Sequence, residues 1–281
     1  MEQNHEENKS KESTALYYDV YKSNEMIRRS RYSLTLREQR ALDYAISKIQ
    51  PNDKPGKEYR VKFQEACQVV NALESVSSLG GAQYNAAFDF FGELVVREVL
   101  IYPKDGGRTR CTWFTKVHQD ENGDISFQFN EELAPYLFEL RKNYTKYQLA
   151  YTVRMKSIYG PRLYQILRSH CIRGRTIAKS YTLSELRKEI GADFVSVKNR
   201  KGEYETRSLK SYDTYGKLKQ AVIAPAINDI NEYTDIFVSY TEIKTGRKVT
   251  GVEFKIKDGS DDMSIQQWEQ IDREKHPERY Q

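Results

Sequence analysis

The chain has 281 residues with a formal net charge of +5; 30% are charged and 38% fall in the hydrophobic set, with 21 Tyr and 11 Phe. That balance excludes a wholly disordered chain, and no apolar run approaches the roughly 18–20 residues a membrane helix needs. The opening stretch MEQNHEENKSKEST is polar and acidic, without the apolar centre of a signal peptide. A cytosolic protein with no membrane partner is expected.

In chain order, residues 1–16 read as a disordered leader. An extended piece follows in YYDVYKSNEMIRRSRYS. Residues 34–50 then form a helix, with Leu36, Leu42, Ile46 and Ile49 at helical spacing and a capping box in Thr35 and Glu38. EYRVKF (58–63) alternates as a strand, and QEACQVVNAL is a short helix. After the Gly80-Gly81 break, AQYNAAFDFFGEL is a further helix, with FDFF (88–91) in the core. LVVREVLIYP and TRCTWFTKVH form a hairpin turning at DGGR (105–108), and ISFQFN is a strand after the ENGD turn (121–124). EELAPYLFEL is a helix, and the polar RKNYTKY (141–147) connects two domains.

The second half repeats the plan. SIYGPRLYQILRSHCI (157–172) is a helix. YTLSELRKEIGA gives an edge strand and then a helix from Ser184 that Gly191 caps. FVSVKNRKGEYETRSLKSYDT is a long polar loop. YDTYGKLKQAVIAPAINDINEYTD is a helix interrupted by Pro225, and a last hairpin turns at KTGRK (244–248). Each half thus runs helix, strand, helix, helix, hairpin, the DGGR turn of the first matching the TGRK turn of the second. An internal duplication of a winged-helix module follows, an α+β fold with two tandem domains at 17–146 and 147–258 and an acidic tail at 259–281.

Charge separates these segments. The net is −1 for 1–146, +9 for 147–258 and −3 for 259–281. A +9 module fits a polyanion partner, although a solvated basic face fits equally. Enzyme signatures are missing. There is no GxxxxGK[ST] loop, no GxGxxG after a strand and no nucleophile elbow. His5, His118, His170 and His276 stand singly, so neither a metal site nor the paired histidines of a nicking relaxase is expected. Cys67, Cys111 and Cys171 have no CxxC spacing and read as buried thiols. No catalytic residue, metal or cofactor is assigned.

Double-stranded DNA suits the second module better. A recognition helix puts its first turns in the major groove and packs its body on the domain. Tyr212, Tyr215, Lys217 and Lys219 form such a front, and Leu218, Val222, Ile223, Ile227 and Ile230 the buried stripe. Lys198, Arg200, Lys201, Arg207 and Lys210 of the preceding loop suit phosphates, as do Lys244, Arg247 and Lys248 at the wing. In the first module Gln83, Tyr84 and Asn85 open the equivalent helix, with Lys104, Arg108 and Arg110 at its wing. Being near-neutral, that module binds more weakly or serves self-association.

Three segments carry a family resemblance. KSNEMIRRSRYSLTLREQRALDYAISKI resembles the opening of the iteron-binding plasmid replication initiator (Rep) family. MKSIYGPRLYQILRSH resembles the segment linking its two winged helices, through Lys156, Ser157, Tyr159, Arg162, Leu163, Tyr164 and Leu167. LKQAVIAPAINDINEYTDIFVSYTEIKTGRKVTGVEFKI resembles its second recognition helix and wing. The resemblance spans about 20–258. It implies a non-enzymatic bacterial cytoplasmic protein that binds direct repeats at an origin as a monomer. It also implies an inverted-repeat operator bound as a dimer through the first domain, with autorepression and copy control. Origin opening and recruitment of host initiator and replicative helicase follow from it too. A winged-helix transcriptional repressor, a nicking Rep enzyme and a structural interaction protein remain the alternatives.

Overall fold

The computed structural model describes residues 14–72 and 81–259. Most of the expected leader, the Gly80 position of the break and the acidic tail beyond Gly259 lie outside them. A short 3₁₀ turn, Thr14–Tyr17, precedes β1 (Asp19–Ser23) and helix α1 (Asn24–Arg29). The extended piece expected here is thus broken by a helix. Ser23 is the reason: its hydroxyl accepts from the Met26 N–H at 3.1 Å and caps the first turn. After β2 (Ser30–Arg31) comes α2 (Leu36–Ile46), which opens on the expected capping box. Thr35 N–H donates to the Glu38 carboxylate at 2.6 Å, and Glu38 N–H donates to the Thr35 hydroxyl at 3.3 Å.

The chain continues through β3 (Glu58–Val61), α3 (Phe63–Val70), α4 (Gly81–Glu93), β4 (Glu98–Ile101), β5 (Thr109–Thr112), β6 (Phe114–Gln119) and β7 (Ile125–Phe129). The pairing corrects one expectation. The hairpin that turns at DGGR belongs to a separate sheet, β2-β4-β5, whereas β3 pairs with β7 and β7 with β6. The wing of the first module therefore turns at ENGD. Burial decides this. Ile125, Phe127 and Phe129 alternate inward at 0–2% exposure, and Phe127 lies 5.0–5.7 Å from the rings of Phe114, Phe91, Tyr59 and Phe129. β5 has no buried residue, so it cannot close that core. Phe91 is fully buried, and Phe88 and Phe90 pack against the same core, as FDFF suggested.

After a 3₁₀ turn (Glu131–Leu133) and the short α5 (Ala134–Leu137), β8 (Tyr144–Gln148) pairs antiparallel with β1, Asp19 opposite Gln148 and Ser23 opposite Tyr144. The polar connector is thus largely a strand, and the expected boundary at 146/147 falls inside it. Helices α6 (Leu149–Val153) and α7 (Gly160–Arg168), strand β9 (Thr176–Thr182) and α8 (Leu183–Glu189) follow. α8 starts one residue before the expected Ser184 because Thr182 and Glu185 form a second capping box. Gly191 ends it at φ +74°, where a Cβ would lie 2.8 Å from the Tyr32 carbonyl oxygen.

The stretch expected as a loop is a hairpin, β10 (Phe194–Lys198) with β11 (Tyr204–Ser208). Beyond it stand α9 (Tyr215–Leu218), a π turn (Lys219–Ile223), α10 (Ala224–Tyr233), β12 (Ile236–Thr245) and β13 (Lys248–Asp258). The two modules trace the same path: α2–β3–α3–α4–β6–β7 in the first, α7–β9–α8–α9/α10–β12–β13 in the second. Their sheets are ordered alike, β3-β7-β6 and β9-β13-β12. The duplication is therefore present, with β4–β5 inserted in one copy and β10–β11 in the other.

A buried polar cluster joins the modules. Asp43 on α2 pairs with Lys22 at 2.6 Å and accepts from the Thr152 hydroxyl at 2.9 Å and the Gln165 amide at 3.3 Å. All four residues are at most 3% exposed. Such a pair adds little net stability against an apolar replacement, but losing one partner leaves a buried charge. It therefore fixes how the modules meet.

Candidate nucleic-acid interface

The helix expected to read DNA in the second module has the expected division of faces. Leu218, Val222, Ile223, Ile227 and Ile230 are all buried, at 0–7% exposure. Lys217 and Lys219 project from the opposite, exposed side. Thr214 caps the first turn, accepting from the Lys217 N–H. The break at Pro225 is a π turn. Ala224 N–H donates to the Lys219 carbonyl five residues back, where an α-helix would reach four. Pro225 has no N–H to continue a regular ladder, and the wider turn lets α10 restart with proline in its first turn.

The wing of this module, β12 with β13, turns at Gly246-Arg247. Arg247 and Lys248 are exposed there, with no ion pair among the described residues. Glu242 on β12 faces the reader helix. Its carboxylate accepts from the Tyr215 hydroxyl at 2.8 Å and pairs with Lys219 and Lys244, each at 3.3 Å. These three bonds, the tyrosine's first, hold the Glu242 carboxyl below the usual carboxylate range. Burial and the same carboxylate push the Tyr215 phenol up, so it stays a neutral donor. Tyr212 is set apart. It packs edge-on against Tyr159, ring centroids 5.8 Å apart, and supports the core side of the helix rather than its open front. Sequence reading did not single out Glu242; an acid two residues before Lys244 on a strand was the available signal.

The basic loop residues separate once the hairpin is seen. Lys198 pairs with Glu93 at the end of α4, in the first module. Arg207 pairs with its neighbour Glu205. Arg200 and Lys201 lie exposed at the hairpin tip, and Lys210 is exposed beyond it. In the first module Lys104, Arg108 and Arg110 sit on the β4–β5 hairpin, not on the wing, and Arg110 pairs with Glu98 at 3.5 Å. Gln83, Tyr84 and Asn85 fall in the first turns of α4, and their side chains lie outside what the structure describes. The open cations of the second module thus stand at the front of this helix, at the tip of its wing and, as Arg200, Lys201 and Lys210, on and just beyond the β10–β11 hairpin.

The Lys156–Leu167 motif does structural work. Asp229 on α10 accepts from the Lys156 and Ser157 N–H groups at 2.9 and 2.6 Å. Arg162 donates to the Ser30 carbonyl of the first module at 2.7 Å and to the Glu189 carbonyl at 3.0 Å. Tyr164 donates to Asp235 at 2.8 Å. Of the three free cysteines only Cys67 is fully buried; Cys111 and Cys171 are partly covered, and burial pushes all three thiols up to about 11. Among the described residues no cluster of His, Cys, Asp and Glu could hold a metal, and no helix is long and apolar enough to cross a membrane.

Two copies of one helix, strand, helix, helix, hairpin module, with a cationic helix front beside a hairpin tip, define a tandem winged-helix protein. Family models agree: one described as Initiator Replication protein, WH1, matches residues 19–168, and one described as Initiator Rep protein, WH2, matches 206–256. The first alone covers more than half of the chain, and this chain belongs to the family of initiator replication proteins. It is 29% identical over 156 residues to an Escherichia coli protein named PI protein, the alignment covering 53% of this chain and 48% of that one. A second E. coli relative, named Replication initiation protein, is 24% identical over 243 residues, covering 85% of this chain and 69% of the relative. The chain thus spans about half the length of the first relative. A crystal structure described as Pi initiator protein in complex with iteron DNA superposes with a TM-score of 0.63 at 18% identity. It covers 86% of this chain and 97% of that one, a likeness of fold.

Proposed function

We propose that this chain is a sequence-specific DNA-binding initiator of plasmid replication that recognises direct repeats at its origin, without catalysis of its own. The observation that carries the reading is the repeated winged-helix topology with open cations at one reader front. Lys217, Arg247 and Lys248 are exposed on the second module, where the first turns of a recognition helix and a wing tip meet a duplex. Lys219, Lys244 and Tyr215 stand beside them, held by Glu242. Both modules dock on one duplex; the second supplies most phosphate contact, and the first supplies weaker contact and the surface for self-association. A dimer acts on an inverted-repeat operator as autorepressor, and the open origin receives host initiator and replicative helicase in the bacterial cytoplasm.

The test is binding to the direct repeats beside the gene across a salt series. Each phosphate contact contributes about −0.9 to the slope of log K against log salt. A slope near zero refutes the reading. Maintenance of an origin-less plasmid by the gene and its flanking repeats separates an initiator from a repressor of the same fold, which would bind but not maintain.

A further inference from the structure

Resting on that reading, we propose that the β10–β11 hairpin is a strap that sets the spacing between the two DNA-reading surfaces, making the protein selective for the length of its repeat as well as its sequence. The hairpin is inserted between α8 and α9 of the second module, yet its partners are in the first. Lys198 and the Tyr204 hydroxyl both reach Glu93, at the last residue of α4, the first module's own reader helix. Arg97 lies 4.0 Å over the Tyr204 ring and donates to the Ser196 carbonyl at 3.0 Å. Arg31 pairs with Asp193 at 2.5 Å, at the root of the hairpin.

The anchor is firm on one side. Arg97 is buried at 7% exposure and pairs at 2.8 Å with Glu38, the capping-box residue of α2. The strap itself is half open. Its charged ends are partly exposed, and a cleft of about 190 Å³ lined by Arg31, Arg97, Leu100, Phe194 and Thr206 separates it from the first module's β2-β4-β5 sheet. Exposed pairs of this kind add little stability. They add geometry instead. The junction around Asp43 and Arg162, with Arg28 on Ser169 and Arg40 on the Met155 carbonyl, holds the modules together without reaching Glu93. The strap is a second joint, placed away from it and tied to the end of a reader helix.

Spacing is where a hinge and a fixed frame differ. One inserted base pair moves the far half of a site by about 3.4 Å and turns it by roughly 35°. A fixed frame loses the contacts of one module; a hinged pair follows the DNA. The experiment uses the full-length protein and duplexes carrying the repeat found beside the gene, with one base pair inserted at each position in turn. For the unmodified chain, a central insertion should weaken binding about tenfold or more, the cost of a disrupted base contact. For Lys198→Gln with Tyr204→Leu, the same insertion should cost less than about threefold, against that tenfold standard, with the intact repeat bound as before. Reversing the pair, Glu93→Lys with Lys198→Glu, should restore the central penalty, whereas either reversal alone should not. Equal insertion profiles in the unmodified and strap variants overturn the proposal, and so does an unmodified chain that tolerates insertion everywhere. Failure of the unmodified chain to bind any repeat instead removes the reading beneath it.

Discussion

If the helix front meets DNA as proposed, Glu242 sets a measurable limit on the contact. Its carboxylate is the counter-charge for Lys219 and Lys244 and the acceptor for Tyr215. In Glu242→Gln both ammonium groups lose that counter-charge and become available to phosphates. Each one that engages adds about 0.9 to the magnitude of the salt slope, so the variant should be steeper by as much as about 2. Over a rise from 50 to 200 mM salt this corresponds to roughly tenfold more affinity lost than in the unmodified chain. Fluorescence anisotropy on repeat and scrambled duplexes gives both slopes. Scrambled DNA should gain most at low salt, because phosphate contact carries no sequence information, and discrimination should therefore fall. An unchanged or shallower slope on both duplexes would show that the two lysines do not reach DNA. The hydrogen bonds that depress the Glu242 pKa also keep the clamp fully charged at neutral pH; its support is present above the unfolded value and lost as pH falls through the folded one.

Lys217→Ala should weaken repeat binding and reduce the salt slope by about 0.9, whereas Glu274→Ala in the acidic tail should leave both unchanged; equal effects in titration would remove the helix front from the interface. Asp229→Ala leaves the Lys156 and Ser157 N–H groups without their acceptor in a site only 8% exposed. Denaturant unfolding should show a loss of about 2–4 kcal/mol, part of it recovered by Asp229→Asn. Burial, then Arg28 and Lys179, lower the His170 pKa from 6.5 to about 4. The unfolded chain takes up a proton that the folded one refuses, so this histidine costs stability as pH falls from about 6.5 towards 4. The urea midpoint of His170→Gln should therefore gain on the unmodified chain at pH 4.5 relative to pH 7; a pH-independent difference refutes it.

What was legible in the sequence was local. Thr35 with Glu38 marked a helix start because both halves of a capping box lie within four residues. The stripe from Leu218 to Ile230 marked a buried face because the π turn displaces it without reversing it. What was illegible depended on distant pairing. β3 finds β7 about 65 residues later, so the first wing was misplaced onto the nearer DGGR hairpin. β8 was hidden because its buried face is Thr145 and Tyr147, alternating with exposed Tyr144 and Lys146, and β10–β11 because its partners are charges in the other module rather than a core of its own. In β10–β11 a trace was present: Val195 and Val197 alternate, and Gly202 sits at φ +80° beside Asn199. For the same reason Lys198 read as a DNA contact, because no local pattern announces a carboxylate 105 residues away.

The π turn has a further consequence. One extra residue in a helical turn offsets the azimuth of everything before it by about 100°. Tyr215–Lys219 and Ala224–Tyr233 thus belong to one rod with two independent phases, and Pro225 bars the return to a single phase. Side chains on the forward phase can be exchanged without moving any on the rear one. A library randomised at Lys217 and Gln220, which carry no bond to Glu242, would then vary recognition on a scaffold whose unfolding midpoint stays constant.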